Sequence, residues 1–246
     1  MLNKINTLLA SQSTTVIESF TISNYSYSNP TPSTTLSLPD GISDGRRLGL
    51  LLIGATKQTG STAITLGTPT GFTLISKTER VNSGTGRSGT QGLFYKYLTG
   101  ADSSRTLSSL FADSLATDAE VAFVQIKLNK LPATNGFGTI TDGGGSAATP
   151  AATLTDVPSV IPNNSPFFLL TCATGSDGTP SGVFSGGMEA YDTSSTVITN
   201  ASNRVISTLW RYDNVKIQDL PDTADVIYTV TASGFASTGA YMIWLK

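Results

Sequence analysis

Short apolar runs of strand length, separated by turn residues, recur along almost the whole chain and limit what it can fold into. They cover residues 16–22, 47–55, 72–75, 92–98, 121–128, 165–173, 204–212, 226–232 and 240–245. Runs of this length, bounded by Gly, Pro, Ser and Thr, favour β-strands over helices. Helical spacing occurs only in the first dozen residues and, ambiguously, at 107–117. We therefore expect an all-β fold, an antiparallel β-sandwich with a short N-terminal arm or helix.

Two of these runs indicate how the sheets are buried. Residues 48–53 read Leu-Gly-Leu-Leu-Leu-Ile, which is typical of a strand covered on both faces. Residues 121–128 alternate, and the period of two puts Ala122, Val124, Ile126 and Leu128 on one aliphatic face.

An internal similarity suggests two related β units. Residues 50–60 resemble 167–177, since each is an apolar run that leads through Ala-Thr into a polar turn. A Thr-Pro-(Thr/Ser)-Gly turn follows at 68–71 and 179–182, then an aromatic–basic strand at 93–97 and 209–212. We expect an arm at 1–13, a first unit at 14–134, a Gly/Ser-rich loop or linker at 135–152, and a second unit at 153–246 packed on the first.

The charge content narrows the class of partner. The 246 residues carry a net charge of −2, and only 13% of them are charged. Fifteen Lys and Arg residues spread over this length form no basic patch for nucleic acid or for an anionic membrane surface. We expect protein partners or neutral glycans, with no nucleic acid and no membrane.

The chain contains no His and a single Cys, which removes most catalytic chemistry. Ser-His-Asp and Cys-His systems need an imidazole, and zinc sites need His or Cys ligands. Cys172 lies in an apolar run and reads as a buried small residue. The Gly-x-Gly-x-x-Gly match at 84–89 precedes a strand rather than the helix that a dinucleotide site needs. Nothing pairs Glu79 or Glu120, which read as surface residues, into a glycosidase site. We expect no enzyme activity and no cofactor.

Three sets of residues remain as candidate sites. Leu2, Ile5, Leu8 and Leu9 recur at helical spacing and predict an arm that docks on a neighbour. Asp219, Asp222 and Asp225 are weak calcium candidates, with solvated turn carboxylates as the commoner interpretation. Aromatic side chains two residues apart on a strand share a face and could stack on sugar rings, although core packing is the commoner role; these are Tyr95, Tyr97, Trp210 and Tyr212.

Residues 44–130 carry a resemblance to a known class of proteins, with a weaker second copy beyond 165. An Asp-Gly turn with a Leu-rich strand at 44–52, Pro69-Thr70-Gly71-Phe72, and Phe94-Tyr95-Lys96-Tyr97 resemble the jelly-roll-like sandwiches of bacteriophage tail-associated and head-decoration proteins. The resemblance implies a homo-oligomeric structural protein, assembled in the host cytoplasm and exposed on the virion, which contacts capsid or tail subunits. The alternative is a carbohydrate-binding adhesin or receptor-binding module for host-surface glycans.

Overall fold

A computed structural model describes residues 17–40, 46–60, 62–82, 87–129, 137–142, 146–147, 151–154, 167–175, 181–185, 196–201, 205–212, 226–231 and 236–245. Their strands are β1 Ile17–Ser28, β2 Leu36–Ser37, β3 Arg47–Lys57, β4 Thr73–Asn82, β5 Arg87–Leu98, β6 Thr106–Leu107, β7 Asp118–Leu128, β8 Phe137–Asp142, β9 Ser146–Ala147, β10 Ala151–Leu154, β11 Phe167–Gly175, β12 Ser181–Ser185, β13 Thr196–Ala201, β14 Val205–Tyr212, β15 Val226–Thr231 and β16 Ala236–Leu245. A single 3₁₀ turn, Gly100–Asp102, is the one helical element among the described residues. The predicted all-β, antiparallel architecture is confirmed.

The first unit is a large sheet with a small one over its outer face. The large sheet has the order β1-β7-β3-β5-β4, with every pairing antiparallel. The small layer pairs β2 with β6 and adds an isolated bridge between Leu66 and Phe111. Two stacked antiparallel sheets joined in this crossed order form a jelly-roll-like β-sandwich.

The second unit repeats the same topology. Its large sheet runs β13-β14-β11-β16-β8, and its small sheet runs β10-β15-β12. Read from its other edge, the second large sheet has the order β8-β16-β11-β14-β13. If β8, β11, β13, β14 and β16 are matched to β1, β3, β4, β5 and β7, this is the strand order of the first large sheet. The small sheet follows the same scheme. β10 takes the place of β2, β12 that of the strand position at Leu66, and the central strand β15 that of the segment from β6 to Phe111.

The two large sheets pack face to face and form a shared core. Leu50, Leu52 and Val124 of the first sheet meet Phe168, Leu170 and Ile243 of the second. If the Ala-Thr dipeptides at 55–56 and 173–174 are matched, then Leu50 and Leu52 correspond to Phe168 and Leu170, and all four lie in this core. β5 contacts β16 and, in the reciprocal place, β7 contacts β14. Reciprocal contacts of this kind give the interface the pattern of a two-fold pair.

A second core fills the other face of the first large sheet. Leu51, Ile53, Phe94 and Phe123 point into it. The small layer covers it with Leu36 of β2, Leu107 of β6, and Leu66 and Phe111 of the isolated bridge. The expectation that residues 48–53 are buried on both faces is therefore confirmed. In β7 the period of two is also correct, although both faces are apolar here: Val121 and Phe123 enter this outer core while Ala122 and Val124 enter the shared one.

Two expectations about local structure need correction. Residues 135–152, expected to be a loop or linker, contain β8 and β9, which both pair with β16, and the first residues of β10. Its Gly- and Ser-rich composition hid the strand Phe-Gly-Thr-Ile-Thr-Asp, whose partner is more than ninety residues away in sequence. Residues 107–117 form no helix, because Leu107, Leu110 and Phe111 reach the outer core from an irregular segment.

The turn at 68–71 forms as its sequence predicts. The Phe72 amide donates to the Pro69 carbonyl at 2.9 Å. Gly71 adopts φ +82°, a conformation that glycine enters without a steric penalty.

Candidate functional site

A row of mostly polar residues crosses the first large sheet on the face that meets the second unit. The strand registers align Ser26 with Glu120, Glu120 with Gly54, Gly54 with Gln91, and Gln91 with Thr78. Residues directly opposite each other in antiparallel strands point to the same face. Glu120 and Gln91 are fully buried, and Thr78 is nearly so. The row therefore places two fully buried polar side chains, those of Glu120 and Gln91, at the shared interface.

Glu120 differs most from its expected place. The sequence placed it on the surface, but its exposure is 0%. The Ser26 hydroxyl donates to its Oε1 at 2.5 Å. A buried carboxylate is costly unless it accepts hydrogen bonds, so this contact compensates part of its desolvation. Because Ser26 belongs to β1 and Glu120 to β7, the bond also fixes the outer strand to the sheet.

The second unit places Cys172 and Tyr241 against this row. Both side chains are fully buried, which confirms the core role expected of Cys172. Burial raises the pKa of the Tyr241 phenol, the nearby Cys172 adds to the rise, and Thr78 opposes it. A Cβ at Gly54 would lie 2.1 Å from the Cys172 Sγ, so the glycine is what lets the two sheets approach.

A charged cluster lies at the end of β5. The Asp102 carboxylate, 2% exposed, accepts hydrogen bonds from Lys96 Nζ, from Arg105 Nη1 at 3.3 Å and from the Thr99 amide at 3.0 Å. Burial by itself raises the pKa of Asp102, but the hydrogen bonds and the Lys96 charge outweigh it and hold the pKa below its usual value. The cluster fastens the 3₁₀ turn to β5.

Tyr95 and Tyr97 are half-buried and pack at the margin of the shared core. Their ring centroids are 6.2 Å apart and the rings are inclined by 81°, so they do not form one flat platform. Burial raises the pKa of Tyr97, with a smaller contribution from Tyr95. The side chains of Trp210 and Tyr212 lie outside the described part of the structure, although their backbone belongs to β14. The glycan-stacking role of all four residues stays a prediction.

The other candidate residues fall outside the described ranges. Leu2, Ile5, Leu8 and Leu9 of the arm lie there, and so do Asp219, Asp222 and Asp225. Within the described residues, no group of three or more His, Cys, Asp or Glu side chains could hold a metal ion. The same residues include no helix long and apolar enough to cross a membrane.

The two outer strands of the first large sheet present different edges. β4 carries Lys77, Glu79 and Arg80, and its pairing with β5 is interrupted by a register shift between Leu74 and Ser76. In β1 the one shift lies at the start, between Ile17 and Ser19, and its only charged residue is Glu18. From 19 to 28 the pairing of β1 with β7 runs without interruption, and this stretch contains neither a charge nor a proline. Sequence reasoning missed this difference, because the position of a strand at a sheet edge is set by tertiary structure.

Comparisons with known proteins give no family. No family model matches the chain, and no curated protein matches it. Among solved structures, a chain of Sulfolobus Turreted Icosahedral Virus is 8% identical over 92% of this chain and 90% of that one, with a TM-score of 0.26. A Melon necrotic spot virus chain is 10% identical over 93% and 97%, with a TM-score of 0.25. A chain of infectious bursal disease virus Gx strain is 11% identical over 94% of this chain and 41% of that one, with a TM-score of 0.18. Superpositions as loose as these carry no conclusion about fold or function.

Proposed function

We propose that this chain is a non-enzymatic structural component of a bacteriophage virion, a capsid-decoration or tail/neck-associated protein that acts through protein–protein contacts. The observation that carries the proposal is the pair of jelly-roll-like units, whose two large sheets pack on each other around a shared core. This fold agrees with the one implied by the sequence resemblance.

The buried polar groups fit a structural role. Glu120 is held by Ser26, and Asp102 is held by Lys96, Arg105 and Thr99. In both cases the carboxylate ties two segments of the fold together. A framework with two cores that share one sheet suits a protein that must keep its shape while it is bound in an assembly.

The experiment is to look for the chain in purified particles. Mass spectrometry of particles from the source that encodes this protein should find it at a fixed copy number per particle. Recombinant chain should also sediment with particles from which it has been deleted, and an unrelated β-sandwich of similar charge serves as the control. Absence from the particles, together with no binding, would contradict the proposal.

The proposal includes the predicted arm at 1–13 as the segment that docks on a neighbouring subunit and holds the assembly together. Light scattering on the chain with and without these residues tests it, since the apolar Leu2, Ile5, Leu8 and Leu9 would be lost together. A closed oligomer that dissociates on deletion supports the arm as a docking element. An unchanged mass removes it from the proposal.

A carbohydrate-binding role is the second candidate, and the observation that favours it is the pair of partly exposed tyrosines at 95 and 97. Because Tyr97 packs at the margin of the core, Tyr97→Phe is the mildest informative change. It removes only the hydroxyl, and Tyr97→Ala removes the stacking ring. Glycan-array binding kept by the first variant and lost by the second, with folding intact in both, would support this role. No binding by the wild-type chain would contradict it.

A further inference from the structure

We propose that the outer edge of β1 is a self-association surface, along which two copies of this chain pair antiparallel and join their large sheets into one. The proposal deepens the assembly role proposed above and rests on it for its biological meaning. Its physical basis is the edge itself, which differs from the other edge of the same sheet.

Length is the first argument. β1 has 12 residues, whereas strands usually have about five or six. At roughly 3.3 Å per residue, the uninterrupted stretch from 19 to 28 extends for about 33 Å. Among the described strands, only β7 pairs with it. Its outward N–H and C=O groups therefore form a long template for another strand.

Composition is the second argument. Free edges are usually blocked by charges, proline or bulges. β4 has such protection, with an ion pair between Lys77 and Glu79 at 2.6 Å, a further charge at Arg80, and its register shift. β1 has none of it between 19 and 28.

The third argument is that β1 is already held in place on both faces. On one face, Tyr25 and Tyr27 donate to the backbone carbonyls of Ser37 at 2.7 Å and Thr35 at 3.0 Å. On the other, the Phe20 ring packs edge-on against Phe168 of the second unit, with centroids 6.2 Å apart. A strand fixed in this way loses little further conformational freedom when a partner strand is added.

Electrostatics favours a second copy as the occupant. The stretch is neutral, so it offers no charge pattern that would select a different, charged partner. Antiparallel pairing about the strand centre, near Asn24, sets Glu18 of each copy against the far end of the other strand. The two like charges are then separated by roughly the length of the stretch. When two copies pair about a two-fold axis, the β1 edge of each copy is covered by the β1 edge of the other, so the assembly is closed as a dimer.

Charge substitutions at Asn24 test the pairing. Asn24 is exposed and lies near the strand centre, so a charge there is compatible with folding and would lie close to its counterpart in the other copy. We expect Asn24→Lys and Asn24→Asp each to raise the dimer dissociation constant by more than about tenfold at low salt, because like charges would face each other. A 1:1 mixture of the two variants should recover the dimer. Ser76→Lys on β4 is the matched control and should leave the constant unchanged.

Hydrogen exchange gives a second measurement that does not depend on a variant. Raising the concentration of the full chain should slow amide exchange in residues 19–28 and leave residues 73–82 unchanged. A monomer at all concentrations overturns the inference, and so does a dimer that both charged variants leave intact. Every second amide in 19–28 bonds to β7 and is protected in the monomer, so the informative amides are those that face outward. Protection of these outward-facing amides that is independent of concentration also overturns the inference, because the chain itself would then cover the edge. A protein that is monomeric and yet present in particles would keep the proposed function while refuting this edge.

Discussion

Replacing Gly54 with alanine tests whether the two units are as closely packed as the structure shows. The added Cβ would lie 2.1 Å from the Cys172 Sγ and 2.9 Å from the Val205 Cγ1, where ordinary contacts begin near 3.4 Å. Replacing a strand glycine by alanine would by itself stabilise the chain by about 0.5–1 kcal/mol. Overpacking a dense core costs about 1–3 kcal/mol, and a contact as short as the one with Sγ belongs at the upper end of that range. We expect a net loss of about 2 kcal/mol.

The loss should appear in both urea and thermal unfolding. For a protein of this size, about 2 kcal/mol corresponds to a decrease in Tm of roughly 4–8 °C. Removing the sulfur should relieve the shorter of the two contacts, since the Cys172 Cβ would be 3.7 Å from the new methyl group, while the 2.9 Å contact with the Val205 Cγ1 remains. Cys172→Ala alone should cost about 1 kcal/mol through the small cavity it leaves. The double variant should therefore be more stable than the sum of the single effects predicts, by at least about 1 kcal/mol.

Gly49→Ala is the matched control in the same strand. The three atoms nearest to its Cβ would all be side-chain carbons of Leu98, at 3.0–3.1 Å, and a leucine side chain can move. We expect it to cost less than Gly54→Ala. If Gly54→Ala were neutral, or if its effect and that of Cys172→Ala were additive, the two sheets would not approach at this point as described.

Three further substitutions test the polar contacts. Asp102→Asn should destabilise the fold by about 2 kcal/mol, because it leaves the partly buried Lys96 without its carboxylate. The pKa of Asp102 is lowered from 3.8 in the folded state, so the stabilisation by the wild-type carboxylate should be complete above about pH 4 and lost as the pH falls further. If the stability of Asp102→Asn fell with pH in parallel with that of the wild type, this role of the carboxylate would be refuted. Ser26→Ala should cost about 1–2 kcal/mol in urea unfolding by removing a donor from buried Glu120, and Ser28→Ala, also on β1, should have little effect. Burial raises the pKa of Tyr27 from 10.0 to about 12, so folding favours the neutral phenol, and its contribution to stability should be lost as the pH rises between these values. Tyr27→Phe should therefore reduce the loss of stability at alkaline pH. Identical stability–pH profiles for the variant and the wild type would contradict this prediction.

The sequence by itself determined the strands and the burial of the longest ones. A strand needs only its own alternation of side chains and its flanking turns, both of which are local. The apolar run at 48–53 therefore predicted a strand buried on both faces, and Pro69 and Gly71 predicted a turn that forms as expected. The similarity of 50–60 to 167–177 pointed to two related units, and the shared strand order of the two large sheets agrees with it.

Only the tertiary structure decided which residues meet across the fold. Glu120 looked like a surface residue because its burial depends on strands distant in sequence and on the second unit, none of which the neighbouring residues report. The same reason hid β8 in a Gly-rich segment, since its partner β16 lies far along the chain. The edge position of β1 also follows from the pairing order of the sheet. Strand pairing joins residues that are remote in sequence, so edges and buried polar contacts are properties of the assembled sheets.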